Sequence, residues 1–130
     1  MTEDDLRSWY WRYVEALNNH ELDGMDKFIN DEVLLDGVPG SRHDVVSALK
    51  GIFDAVPDFH WDVKELLIDR DRIAIRAINA GTPVKEWLGV PATGRSFEIA
   101  EHVIYTVSDG RFVKMTNLHD SAALRQQLTA

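Results

Sequence analysis

The residues that could do chemistry in this chain are histidines and carboxylates. The sequence has five histidines and 22 aspartate and glutamate residues, but no cysteine. The absence of cysteine excludes thiolate nucleophiles, Cys-ligated metals and disulfides. The histidines show no His-x-x-x-His or comparable ligand spacing, so we expect no metal site. Carboxylates and imidazoles are side chains that can transfer protons.

The segment from Phe97 to Val107 carries two such groups on opposite faces. Strand alternation in EIAEHVIYTV puts His102 on one face and Glu101 on the other. If the His102 face is inward, its imidazole could polarise a substrate carbonyl. If the Glu101 face is inward, that carboxylate becomes the base. On the next strand, Asn117 and His119 share a face by the same alternation, and the sequence leaves both orientations open.

Two further polar residues have two interpretations each. Asp120 lies two residues after the last predicted strand, where its carboxylate could transfer protons, but an aspartate before Ser-Ala-Ala-Leu is also a good N-cap for a helix over residues 121–128. Asn18 could be a polar group of a binding site, or it could simply end the first helix, and the second interpretation is favoured.

The elements that must position these residues begin with three predicted helices near the N-terminus. Apolar residues at three- and four-residue steps predict a helix over Glu3–Asn19, with capping-box spacing at Thr2 and Asp5. Similar spacing predicts a second, short helix over residues 22–30. A brief strand over Val33–Asp36 and a loop over residues 37–40 follow. The third helix is capped by Ser41 and stopped by Pro57.

After Pro57 the pattern changes to strands. Segments rich in β-branched and aromatic residues predict four of them: Phe59–Ile68, Arg72–Asn79, Phe97–Val107 and Arg111–Leu118. Short polar turns favour antiparallel hairpins, whereas the connection over residues 81–95 is long. Residues 1–130 therefore predict one α+β domain: three N-terminal helices packed on a curved antiparallel sheet that encloses a pocket, followed by a short C-terminal helix.

Bulky residues and charge narrow the class of partner. Trp61, Trp87, Phe53 and Met115 are candidates to line an apolar pocket for a small hydrophobic organic ligand, although plain core residues would look the same. The net charge of -8, with no cluster of Lys and Arg, makes nucleic acid an unfavourable partner. The acidic N-terminus is unlike a signal peptide and no segment resembles a membrane span, so we expect a cytoplasmic protein without a membrane partner.

Several motifs occur together along the chain. They are Pro57-Asp58-Phe59-His60, Asp71-Arg72-Ile73-Ala74-Ile75-Arg76, Gly81-Thr82, Gly89-Val90-Pro91-Ala92-Thr93-Gly94-Arg95 and Asp109-Gly110-Arg111. The opening segment over residues 13–23 and the tail over residues 120–128 fit the same pattern. In order and spacing the chain resembles the SnoaL-like polyketide cyclases.

The resemblance implies a cone-shaped fold, shared with nuclear transport factor two and the ketosteroid isomerases, and a homodimer formed through the outer sheet face. It also implies intramolecular aldol closure of an aromatic polyketide ester without metal or cofactor. Asp120 matches the position of the family's acid-base aspartate, so we assign it as the catalytic residue with His102 as its partner. The remaining candidates are assigned to substrate binding: Asn18, Glu101, Trp61, Trp87, Phe53, Met115 and Asn117.

The sequence departs from the family on the strand that leads to Asp120. Relatives usually have Glu and Trp there, whereas this chain has Lys114 and Met115, so the family's founding substrate does not carry over. Two alternatives stay open. One is a non-catalytic module that binds a small ligand or a partner. The other is epoxide or hydration chemistry by Arg76 with Asp36 and Asp120.

Overall fold

The computed structural model describes residues 1–130, which form three α-helices and six strands. The helices are α1 (Glu3–Asn18), α2 (Arg42–Ala55) and α3 (Ser121–Thr129), and a 3-10 turn covers Met25–Lys27. The strands are β1 (Ile29–Leu35), β2 (Val38–Ser41), β3 (His60–Asp69), β4 (Arg72–Gly81), β5 (Phe97–Ser108) and β6 (Arg111–His119). The predicted α+β class is confirmed. No helix is both long enough and apolar enough to cross a membrane.

Both long helices begin at the residues that the sequence predicts. The Thr2 hydroxyl accepts a hydrogen bond from the Asp5 amide, and the Asp5 carboxylate accepts one from the Thr2 amide, each at 3.1 Å. Ser41 and Asp44 form the same reciprocal pair at the start of α2. Such capping boxes satisfy backbone donors that the first helical turn leaves free. They fix where α1 and α2 start, and so which side chains face the sheet.

The sheet has the order β2-β1-β6-β5-β4-β3. The strands β3 to β6 pair antiparallel, as predicted. Short turns join β3 to β4 and β5 to β6, whereas a long connection joins β4 to β5. At the β5–β6 turn, Asp109 and Gly110 have positive φ angles of 50° and 76°, the geometry of a tight hairpin turn. Register shifts interrupt the pairing of β3 with β4 and of β5 with β6, and such bulges bend a sheet.

The region between α1 and α2 differs from the prediction. The apolar spacing of residues 22–30 predicts a helix, but only the 3-10 turn forms, and the chain is extended from Ile29 onward. The Phe112 amide donates to the Phe28 carbonyl at 2.7 Å, and β1 then runs parallel to β6, so the sheet is mixed. Residues 38–40 of the predicted loop, together with Ser41, form β2. Pairing with a strand more than 70 residues away overrides the local pattern.

The core lies between α1 and the inward face of the sheet. Aromatic side chains dominate its centre, where the rings of Tyr13 and Phe112 lie 4.9 Å apart and those of Tyr105 and Phe112 lie 4.5 Å apart. Along β5 the residues at odd positions from Phe97 to Val107 are buried and those at even positions are not. This alternation decides which polar groups of β5 reach the interior.

Candidate functional site

A cavity of about 240 Å³ lies between the two long helices and the inward face of the sheet. Of its 20 lining residues, 15 are hydrophobic. Helix α1 contributes Tyr10, Tyr13, Val14 and Leu17, and α2 contributes Val45, Ala48, Leu49 and Ile52. An apolar wall with a few converging polar groups is the usual form of a small-molecule site.

Four polar side chains from β4, β5 and β6 meet at one part of this site, and we call Asn79, Glu101, Asn117 and His119 the polar cluster. Glu101 and Asn79 are the only polar residues in the buried core, at 5% and 0% exposure. The Glu101 carboxylate accepts hydrogen bonds from the side-chain amides of Asn79, at 3.0 Å, and Asn117, at 3.2 Å. A buried charge is tolerated where it is bonded in this way.

His119 completes the polar cluster. It stands directly opposite Glu101 in the β5–β6 register, and its Nε2 lies 3.5 Å from a Glu101 carboxylate oxygen. Its Nδ1 lies 2.8 Å from Asn79 Oδ1. Because the Asn79 amide nitrogen donates to Glu101, Asn79 Oδ1 must be the acceptor, which assigns a proton to His119 Nδ1. Nε2 is then the imidazole atom that can gain or lose a proton.

A second group of polar atoms in the cavity wall comes from three tyrosines, and we call Tyr10, Tyr13 and Tyr105 the tyrosine cluster. The Tyr10 and Tyr105 hydroxyls are 3.2 Å apart. Burial is the main cause that raises the pKa of all three phenols well above the ordinary value, and the nearby Glu101 carboxylate raises it further. The three hydroxyls are therefore protonated at neutral pH and can donate hydrogen bonds.

The rim of the cavity carries two exposed carboxylates. Asp36 lies in the turn after β1, where its side chain accepts a hydrogen bond from the Asn117 backbone amide at 3.1 Å. Asp44 belongs to the capping box of α2 and also borders the cavity. Their charges place a negative potential at the mouth, in a chain that is already acidic.

Four of the residues assigned to substrate binding lie in the cavity wall: Trp61, Glu101, Met115 and Asn117. The other three do not. Asn18 bonds both the amide and the carbonyl of Trp61, at 2.8 and 2.9 Å, and so ties the end of α1 to β3. Phe53 stacks on His20 with ring centres 3.9 Å apart. Trp87 is buried behind the wall, where it stacks on Phe97 and meets the edge of His119.

Asp120 and His102, which the sequence analysis assigned as catalytic, lie outside the cavity wall. Asp120 is exposed, and its side chain accepts a hydrogen bond from the Ala123 amide at 3.0 Å, which makes it the N-cap of α3. His102 is exposed on the outer face of the sheet, where its register partners are Arg76 and Leu118. The physical reason is alternation, since turning Glu101 inward turns His102 outward.

The residues considered for epoxide chemistry do not form a cluster. Arg76 lies on the outer face, where its guanidinium contacts the Glu65 carboxylate at 2.7 Å. Asp36 is at the rim of the cavity and Asp120 caps α3. The structure also brings together no group of three or more His, Asp or Glu side chains that could hold a metal ion.

Sequence reasoning missed Asn79 and the role of His119 in this site. The available signal was the shared face of Asn117 and His119 on β6. This signal does not show whether that face meets the cavity until the orientation of β5 is known. The long connection after β4 also lies outside the cavity wall. Thr93 donates to the Leu128 carbonyl at 2.6 Å and Arg125 donates to the Gly89 carbonyl at 3.2 Å, so this connection is held against α3.

Comparison with known proteins gives a family match and shows which solved structures have a similar fold. Residues 8–128 match the SnoaL-like polyketide cyclase family. A SnoaL-like polyketide cyclase from Agrobacterium tumefaciens is 27% identical, with a TM-score of 0.89 over 95% of this chain and 97% of that chain. IdmH from Streptomyces antibioticus is 24% identical, with a TM-score of 0.84 over 95% of this chain and 98% of that chain. TsrD from Streptomyces laurentii is 22% identical, with a TM-score of 0.88 over 98% of this chain and 97% of that chain. The comparison with curated proteins gave no match.

Proposed function

The chain belongs to the SnoaL-like polyketide cyclase family, and from that premise we propose that it catalyses ring closure or a related isomerisation of a small apolar carbonyl compound by acid-base chemistry. The observation that carries the proposal is the pairing of the buried Glu101 with the partly buried His119 in the wall of an apolar cavity. No cofactor is needed for such a reaction, because a base, an acid and hydrogen-bond donors suffice.

We assign the proton transfer to His119. Its Nδ1–H is held by Asn79, and its Nε2 faces the Glu101 carboxylate. When Nε2 gains a proton, the imidazolium can donate from Nδ1 to Asn79 and from Nε2 to the Glu101 carboxylate. Glu101 therefore acts by stabilising the imidazolium, and Asn79 acts as a positioning residue for both.

The aldol closure then runs in three steps. His119 Nε2 removes a proton from the carbon next to a substrate carbonyl, which leaves an enolate. The enolate carbon attacks a second carbonyl of the same molecule, which forms the new carbon–carbon bond and an alkoxide. The alkoxide takes the proton back from the imidazolium, so the enzyme returns to its starting state. Exclusion of water by the apolar wall strengthens the electrostatic contribution of Glu101.

The first step can be tested without the natural substrate. In D₂O, exchange of the acidic protons of 2-tetralone, a two-ring ketone, reports proton removal next to a carbonyl and can be followed by ¹H NMR. We expect the wild-type protein to accelerate this exchange. His119→Gln should lower the accelerated rate by roughly 10²- to 10⁴-fold, the usual contribution of a general base. Glu101→Gln should cause a smaller loss, because it removes the stabilising charge and not the proton acceptor.

The matched control is His102→Gln, which changes an exposed histidine on the outer face of the same sheet. It should leave the exchange rate unchanged. A larger loss in Glu101→Gln than in His119→Gln would reverse the roles assigned to the two residues. If the wild-type protein does not accelerate proton exchange of 2-tetralone, the acid-base proposal is wrong.

The second candidate function is a module that binds a small ligand without converting it. It is favoured by the position of Asp120, because the carboxylate that matches the family's acid-base residue caps a helix. Such a module would bind 2-tetralone in the cavity but would not accelerate its proton exchange. A binding measurement by isothermal titration calorimetry, made beside the exchange assay, separates the two functions.

We also propose that two copies of the chain associate through the outer sheet face. Leu67, Ile104 and Leu118 are 66%, 46% and 74% exposed on this face. Arg72 and Lys114 lie toward one end of the face, whereas Asp62 and Glu98 lie toward the other. An antiparallel arrangement would set the basic end of each copy against the acidic end of the other, over an apolar centre.

The test of this association is the molar mass in solution by light scattering after size exclusion. The wild-type protein should show twice the monomer mass, and Ile104→Asp should show the monomer mass, because a charge at the centre of an apolar interface is left unpaired. Val84→Asp is the control, since Val84 is 62% exposed in the long connection. A wild-type monomer at high concentration would refute the association.

A further inference from the structure

The hydroxyl of Tyr13 is a polar group without a partner inside the protein. Tyr13 is only 2% exposed, and its hydroxyl forms no hydrogen bond, whereas the hydroxyls of the other two tyrosines in the chain bond each other. Every fully buried side-chain nitrogen or oxygen in the structure has a hydrogen-bond partner. The Tyr13 hydroxyl must therefore reach free space, and Tyr13 lines the cavity.

From this geometry we propose that the Tyr13 hydroxyl donates a hydrogen bond to an oxygen of the bound ligand, and that the ligand is a neutral compound of about two fused rings with an oxygen substituent far from the reacting carbon. The inference rests on the proposed function for the position of the reacting carbon. The hydrogen bond itself does not depend on turnover.

The tyrosine cluster suits this role because its members are donors. Burial raises the pKa of all three phenols, so each hydroxyl keeps its hydrogen at neutral pH. Tyr10 and Tyr105 share one hydrogen bond, which leaves one of their two hydroxyl hydrogens free beside Tyr13. An acceptor oxygen, such as a carbonyl or a hydroxyl, is the ligand group that satisfies these donors. A hydrocarbon edge would leave them unpaired in an apolar wall.

The cavity size limits the ligand. A protein cavity of about 150 Å³ binds a single benzene ring. The cavity of about 240 Å³ is larger by roughly the volume that one more fused ring needs. A scaffold of three or four fused rings would have to extend through the mouth.

Charge limits the ligand as well. Two rim carboxylates, Asp36 and Asp44, and the buried Glu101 line the cavity. A ligand with a free carboxylate would meet repulsion at each of them, so a neutral compound or an ester is favoured.

The spacing along β5 sets the position of the ligand oxygen. Glu101 and Tyr105 both face inward and are four residues apart, which corresponds to roughly 13 Å along a strand. The polar cluster and the tyrosine cluster therefore meet the cavity at separate positions along β5. A ligand whose reacting carbon meets His119 needs its second oxygen across the ring system to meet Tyr13.

The test compares two ligands of equal size in two proteins. The ligands are 6-hydroxy-2-tetralone, with an oxygen across the rings from the ketone, and 6-methyl-2-tetralone, with a methyl group in its place. Affinities are measured by titration calorimetry for the wild-type protein and for Tyr13→Phe. The expected preference of the wild-type protein for the hydroxyl compound should fall by about 2- to 12-fold in Tyr13→Phe, the range of one hydrogen bond.

Tyr13→Phe removes a hydroxyl that has no partner in the protein, so the fold should persist, and thermal unfolding checks this. Trp11→Phe is the control, because Trp11 is a 43% exposed aromatic on the same helix and does not line the cavity. If Tyr13→Phe keeps the preference for the hydroxyl compound, the proposed hydrogen bond is wrong. If neither compound binds the wild-type protein, the proposed ligand size is wrong.

The role of Tyr13 and the proposed catalysis can each fail without the other. A loss of preference in Tyr13→Phe together with no proton exchange would retain the ligand inference and reject catalysis. Proton exchange that depends on His119, with a preference that is unchanged in Tyr13→Phe, would retain catalysis and reject the role of Tyr13.

Discussion

Substitution of Asp120 separates a helix cap from an acid-base residue. In the structure the Asp120 side chain bonds only the Ala123 amide, at 3.0 Å, and the residue is exposed. Asp120→Ala removes this cap and should lower the free energy of unfolding by about 1 kcal/mol. For a chain of this length that corresponds to a decrease in Tm of roughly 3–5 °C. The backbone hydrogen bond from Asp120 to the Ala100 carbonyl does not depend on the side chain and should persist.

The informative partner variant is Asp120→Asn. Asparagine caps helices about as well as aspartate, so Tm should change little, apart from a few tenths of a kcal/mol from the lost charge near the helix N-terminus. Neither variant should change the rate of 2-tetralone proton exchange. The assays are thermal unfolding by circular dichroism and exchange by NMR. A loss of exchange of roughly 100-fold or more in Asp120→Asn, with an unchanged Tm, would restore Asp120 as an acid-base residue and refute the reasoning.

Four further predictions concern packing, hydrogen bonding and ionisation. A Cβ at Gly81 would overlap Cγ1 of the fully buried Val56, so Gly81→Ala should destabilise by about 1–3 kcal/mol in urea unfolding. Gly51→Ala in α2, where a Cβ meets open space, should instead stabilise by about 0.5–1 kcal/mol. Asn79→Ala would leave Glu101 and His119 each without one hydrogen-bond partner, and should cost about 2 kcal/mol or more in the same assay. Burial raises the pKa of the three phenols in the tyrosine cluster. Their contribution to the free energy of unfolding should therefore be full below pH 10.0 and be lost as the pH rises from there toward their folded-state pKa values. Ultraviolet difference spectra should show tyrosinate only as the protein unfolds.

Local patterns were sufficient for the helices and for the antiparallel part of the sheet. The predicted capping box at Thr2 and the predicted helix cap at Ser41 both form, and each depends on residues three positions apart. The hairpin turns after β3 and β5 are equally local. The strand β1 was harder, because its pairing with β6 joins segments far apart in the sequence, and the apolar spacing around Met25 fits a helix as well as a 3-10 turn followed by a strand.

By itself, the sequence determined the fold class, the family and the short list of groups capable of proton transfer, because periodicity, capping and motif order are local properties of the chain. Only the tertiary structure decided which of those groups meet. Alternation along β5 was evident from the sequence, but the burial of one face against α1 and α2 turned Glu101 inward and His102 outward. The pairing of β4 and β6 with that strand then brought Asn79 and His119 to Glu101, while the start of α3 held Asp120 at the surface as its cap.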